Sequence, residues 1–138
     1  VTTIYQDHAT PVLALLAANT DLLAVYDGKV PDPTPAPPYG VVYFHFESLP
    51  GAAGNALDGV SAEVTTYVTC HCVGKTAAAA RIVASQFRVA LLDATPKVAG
   101  RTCGQIVVDS SQPPQPDETT GDLVMDQIDV YRFVSHPT

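Results

Sequence analysis

The chain has no tryptophan and a single methionine, and charged residues supply only 15% of its 138 positions. A globular domain usually carries about a quarter. So sparse a charged surface points to coverage by neighbouring subunits, with a surface rich in Ala, Thr and Ser as the plainer explanation. Cationic residues are scarcest: seven Lys and Arg stand against fourteen Asp and Glu, a formal net charge of −7. That balance excludes a protein that wraps the phosphate backbone, which needs clustered cations to release counterions. It is compatible with DNA passing by without adhering. No apolar run approaches the ~18 residues of a membrane span, and the longest candidate, Val12 to Ala18, is far shorter. A basic start followed by an apolar signal core is also missing, so a soluble protein made in a cytoplasm, without a membrane partner, is expected. The three cysteines, Cys70, Cys72 and Cys103, are odd in number and argue against a disulfide framework.

What is present suffices for one core, and residues 1–138 are expected to form a single domain. Residues 1–24 read as an N-terminal helix, with Thr10-Pro11 as a start signal and Asn19-Thr20-Asp21 as an early stop. Leu22 to Tyr26 predicts a strand that turns at Asp27-Gly28. Five prolines within 31–38 make a stiff, extended connector that cannot pair inside a sheet. Val41 to Glu47 and Val60 to Val73 carry β-branched and aromatic runs and predict strands, separated by a small-residue loop over 48–59. Thr76 to Leu92 is the clearest helix: Val83, Phe87, Ala90 and Leu91 share one face, and Arg81, Ser85 and Arg88 another. A strand at Cys103 to Asp109, a proline-bearing loop at 110–120 and a final strand at Asp122 to Val134 complete the chain. The order predicts an α+β fold: a mostly antiparallel sheet with hairpin-like links and helices packed on one face.

Little in the sequence carries chemistry. Val73-Gly74-Lys75-Thr76 sits where a strand meets a helix, but the glycine that a phosphate-binding loop needs five residues earlier is Thr69. Gly74 then simply breaks the strand and Lys75-Thr76 opens the helix. Cys70 and Cys72 share one face of a strand, with His71 on the other, so the three cannot readily meet at one ion. Gly59-Val60-Ser61-Ala62-Glu63 lacks the last glycine of a nucleophile elbow. His8, His45, His71 and His136 are scattered, without an acid–base partner pattern. No catalytic, cofactor-binding or metal site is assigned. The acidic stretch is more informative: Asp109, Asp117, Glu118, Asp122, Asp126 and Asp129 lie between Thr102 and Tyr131, where no Lys or Arg occurs. It reads as solubilising charge, as a divalent-cation site of unusual spacing, or as a negative surface facing DNA in a channel.

The layout resembles the tail terminator (tail-completion) proteins of long-tailed, siphovirus-type bacteriophages. The pieces that carry the resemblance are Val25-Tyr26-Asp27-Gly28 before the proline-rich link, Pro38-Tyr39-Gly40-Val41-Val42-Tyr43, and the strand Glu63 to Val73 running into the helix with Ala80-Arg81-Ile82. Pro96-Lys97-Val98-Ala99-Gly100-Arg101 and the ending Asp129-Val130-Tyr131-Arg132-Phe133 complete it. The resemblance spans nearly the whole chain but rests on layout and short pieces. It implies a non-enzymatic virion protein, assembled in a host bacterial cytoplasm, that forms a homo-hexameric ring at the head-proximal end of the tail. The ring would stop growth of the tail tube, meet the major tail tube protein and the head-completion (connector) proteins, and let genomic DNA through its lumen unbound. Another neck component, such as a stopper, is the nearest alternative, and a small ligand-binding domain or enzyme a further one. Under this resemblance the loops over 48–59 and 110–121 are expected to touch partners, through Pro50, Asn55, Gln112, Gln115, Asp117 and Glu118. Asp122, Asp126 and Asp129 are the candidates for an acidic lumen or solvated face.

Overall fold

A computed structural model of the chain describes residues 3–22, 24–48, 63–119 and 123–138. Most of the 48–59 loop, with Pro50 and Asn55, and also Asp122 lie outside the described residues. The period of two that marks a half-covered strand is clearest in β3 (Val64–Gly74). There Val64, Thr66, Val68, Cys70 and Cys72 are buried, while Thr65, Tyr67, Thr69 and His71 stand half-buried on the other face. Antiparallel neighbours flank it, β2 (Tyr39–Ser48) on one side and β7 (Val124–Pro137) on the other. Beyond β2 lies β1 (Val25–Asp27), parallel to it with Tyr26 opposite Val41. The far side of β7 is tiled by three short antiparallel strands, β4 (Arg101–Cys103), β5 (Val107–Ser111) and β6 (Gln115–Asp117). The fold is therefore α+β, with a mixed, mostly antiparallel seven-stranded sheet.

Helices α1 (Ile4–Ala18) and α2 (Ala77–Leu91) pack on the same face of that sheet. Val12 and Leu16 of α1 and Val83, Phe87 and Leu91 of α2 meet Val42, Val68, Cys70, Cys72, Tyr131 and Phe133 from the strands. Burying each large apolar side chain of this kind contributes ~1.5–3 kcal/mol, so this layer carries most of the cohesion. A smaller cluster of Tyr39, Val41, Val73 and Val124 occupies the opposite face at one end of the sheet, packed against Ala24, Tyr26 and Val30.

Several local expectations change. α1 begins at Ile4 and carries Pro11 in its interior, so Thr10-Pro11 does not start it. Helical spacing wins because His8, Ala9, Val12 and Leu16 are all buried along one stripe. The proline forfeits one hydrogen bond, to the carbonyl of Asp7, and that residue is exposed to water. The helix ends with Asn19 as its cap, well short of residue 24. Because β1 and β2 are parallel, the connector over 28–38 is a crossover without regular structure rather than a hairpin. The expected strand Cys103 to Asp109 is broken at 104–106, and Gln115 and Asp117 lie in a strand rather than a loop. Pro116 is tolerated there because an edge strand has no outward ladder bond to donate.

Candidate functional site

Among the described residues no group of three or more His, Cys, Asp or Glu is arranged to hold a metal. Cys70 and Cys72 do share one face, as expected, and burial in the core pushes both thiols far above their ordinary pKa. Gly74 has a packing reason: a Cβ there would stand 2.6 Å from the backbone nitrogen of Ala80, so only glycine lets α2 begin so close to β3. Thr76 caps that helix by accepting a hydrogen bond from the Ala79 N–H at 3.1 Å.

One arrangement resembles a nucleophile and its base, and the sequence offered no signal for it. His8 Nε2 lies 2.7 Å from the Ser135 hydroxyl, and His8 Nδ1 lies 2.6 Å from the carbonyl of Ile4. Donation from Nδ1–H to that carbonyl leaves Nε2 as acceptor of the serine proton. Arg101 Nε in turn donates to Ser135 Oγ at 2.9 Å. Yet His8 and Ser135 are both fully buried, so no substrate reaches the hydroxyl. The chain of bonds fastens α1 to β7, and burial holds the His8 imidazole below its ordinary pKa.

The second face of the sheet carries ion pairs. Asp126 accepts a hydrogen bond from His71 Nδ1 at 2.8 Å, and the His71 ring stands edge-on to Tyr43 with centroids 5.3 Å apart. The bond to Asp126 raises the His71 pKa against the opposing effect of burial. Arg132 meets Asp109 at 3.3 Å, and His136 meets Glu63 at 3.1 Å. Asp129, three residues from Asp126, points to the helix side instead. It is only 7% exposed and accepts hydrogen bonds from Ser111 Oγ and Gln127 Nε2. The two carboxylates thus lie on opposite faces of β7 and form no common acidic surface within the subunit.

The 110–119 segment falls into two parts. Gln112 is exposed and its N–H bonds the Ile128 carbonyl at 3.0 Å. Gln115 and Glu118 are exposed, while Asp117 is half-buried and held below the ordinary carboxylate range by hydrogen bonds from Thr119. Ser111, Gln112, Pro113 and Pro114 form one wall of a groove of about 460 Å³, opposite Arg81, Ala84, Ser85 and Arg88 of α2. Gln127 and Asp129 lie beneath. Sequence reasoning set the two arginines on the outer helix face but had no means of seeing the facing wall.

No protein-family model and no curated protein sequence matches this chain. Solved structures share its fold. A chain from a structure described as the virion of a native gene transfer agent particle superposes with a TM-score of 0.68 at 16% identity, over 97% of this chain and 99% of that one. A second solved chain superposes with a TM-score of 0.61 at 18% identity, covering 98% of this chain and 94% of its own length. At such identities the likeness establishes a common fold, and one bearer of that fold belongs to a virion particle.

Proposed function

We propose that the chain is a structural subunit of a phage-type virion, and specifically a tail terminator that closes the head-proximal end of the tail tube as a hexameric ring. The observation that carries this reading is the end-to-end correspondence with a chain of a virion particle, 97% of one against 99% of the other. The order of elements quoted for the resemblance supports the finer assignment to the tail terminators.

The mechanism is steric. One side of the ring offers the surface that the next layer of tube subunits would offer, and the other side lacks it, so growth stops. The edges of the sheet suit such a role, because β1 and the tiled edge of β4, β5 and β6 have unpaired outer sides among the described residues. Gln112, Gln115, Asp117 and Glu118 sit on or beside that tiled edge and are the proposed partner contacts, with Pro50 and Asn55 from the other loop. Tube protein and head-completion proteins are the proposed neighbours, and DNA crosses the lumen without specific contacts.

The test is native mass across a wide concentration range, followed by addition of the protein to growing tail tubes. A discrete species of six 14.5 kDa subunits that halts elongation at one tube end is expected. Tubes that grow unaffected, with the protein bound instead to head connectors, would assign it to another neck position.

A further inference from the structure

Arg81 and Arg88 are both exposed and have no ion-pair partner among the described residues, in a chain with only seven basic side chains. They line the groove between α2 and residues 111–114, together with Gln112, whose side-chain amide can donate. The Ser85 hydroxyl already bonds the Arg81 carbonyl, and the Gln127 amide already bonds Asp129. The one carboxylate among the groove's described lining residues, Asp129, is buried and accepts from Ser111 and Gln127. It forms no ion pair with either arginine, which keeps both guanidinium groups open to a partner. Two guanidinium groups seven residues apart, with the Gln112 amide opposite, suit recognition of carboxylates from another chain.

The complementary charge lies on the other flank of the same molecule. Asp21, Asp27 and Asp32 are exposed and unpaired among the described residues, with Lys29 the only cation between them. Asp27 is in β1, at one edge of the sheet, whereas the groove follows β5 at the opposite edge. Four strand spacings, about 19 Å, separate β1 from β5. Asp21 lines a pocket with Ala79, Ile82 and Gln86, on the side of α2 turned away from Arg81 and Arg88. None of the three carboxylates therefore pairs with the arginines of its own subunit among the described residues. A closed ring requires unlike patches on opposite flanks of each subunit.

Resting on the ring reading above, we infer that the arginine-lined groove of one subunit receives the acidic β1 flank, Asp21 to Asp32, of the next copy. The pairing sets a head-to-tail direction and works against the mutual repulsion of acidic chains. Raising the salt should weaken assembly, since these pairs lie at the surface.

The experiment is a charge swap read by native mass at low salt, with circular dichroism as a check on folding. Arg81→Glu with Arg88→Glu makes one variant, and Asp27→Lys with Asp32→Lys the other. Each alone should lose association by about tenfold or more. Mixed together, they should restore it, because alternating subunits pair opposite charges at every interface and an even-numbered ring closes. All four positions are exposed, so both variants should keep their folded spectra. If both variants assemble as the unaltered chain does, or if mixing restores nothing, this interface is wrong while the ring stands. An unaltered chain that stays monomeric even with tail tubes present would overturn the ring reading and this interface together.

Discussion

Thr66 carries a hydroxyl that the fold leaves unused. The residue is fully buried, and its Oγ1 has no hydrogen-bond partner among the described residues. An unsatisfied buried hydroxyl costs about 1–3 kcal/mol, and valine has nearly the same shape. Thr66→Val should therefore raise stability by about 1 kcal/mol in denaturant unfolding; a lower midpoint would show that the hydroxyl has a partner after all. His71 gives a second residue-level expectation. Its folded pKa is raised by Asp126, so the pair adds stability below the unfolded value of 6.5, and loses it as pH rises through the folded pKa. His8 runs the other way: its pKa is depressed, and stability falls as pH drops below 6.5. Asp126→Asn should lower the His71 pKa in an NMR titration, and an unchanged value would mean that the bond is absent in solution. Neither partnership was legible in the sequence. His71 finds Asp126 across 55 residues because the β3–β7 register sets Asp126 opposite Val73, two places along the same face.

At the scale of elements, legibility followed locality. α2 was read almost to its ends because its signals are all its own: a capping threonine, an apolar stripe and a glycine before it. Thr76→Ala should cost about 1 kcal/mol through the lost cap, and Gly74→Ala more, since backbone rather than a movable side chain blocks the new methyl. Thermal unfolding of the two variants ranks them, and the reverse order would mean that α2 shifts freely. Elements whose boundaries depend on a distant partner were read less well. β7 runs three residues beyond its predicted end because β4 supplies ladder bonds at Ser135 to Pro137. β6 was hidden under prolines, and only its pairing with Val124 to Asp126 makes it a strand. A deletion across 112–118 would remove that strand, so point substitutions at Gln112 and Glu118 are the cleaner probes of assembly. α1 shows the converse: a strong local signal, Thr10-Pro11, was overridden by tertiary burial of residues on both sides of it.

For the whole molecule, the chemistry is set by charge as much as by shape. The order of predicted elements correctly foresaw an α+β sheet with helices on one face, because alternation in β3 and the period of α2 each leave a single apolar side to bury. The groove between α2 and 111–114 could not be foreseen, since its walls come from segments that only folding brings together. Within a net charge of −7 the arginines of that groove form a local exception. Two cations per subunit are far fewer than the ~6–10 phosphate contacts of a DNA-binding protein. In a ring each further pair comes on a subunit of net charge −7 and faces the acidic flank of the next copy, so the arginines cannot offset repulsion of a duplex by the rest of the surface. The purified protein should therefore leave double-stranded DNA unretarded in a gel even at low salt, as a monomer and as a ring. Retardation that fades with added salt would mean that the assembled surface concentrates cations facing the DNA. A lumen of that kind would grip the genome instead of letting it slide, and the purely steric account of termination would have to be replaced by one in which DNA is held.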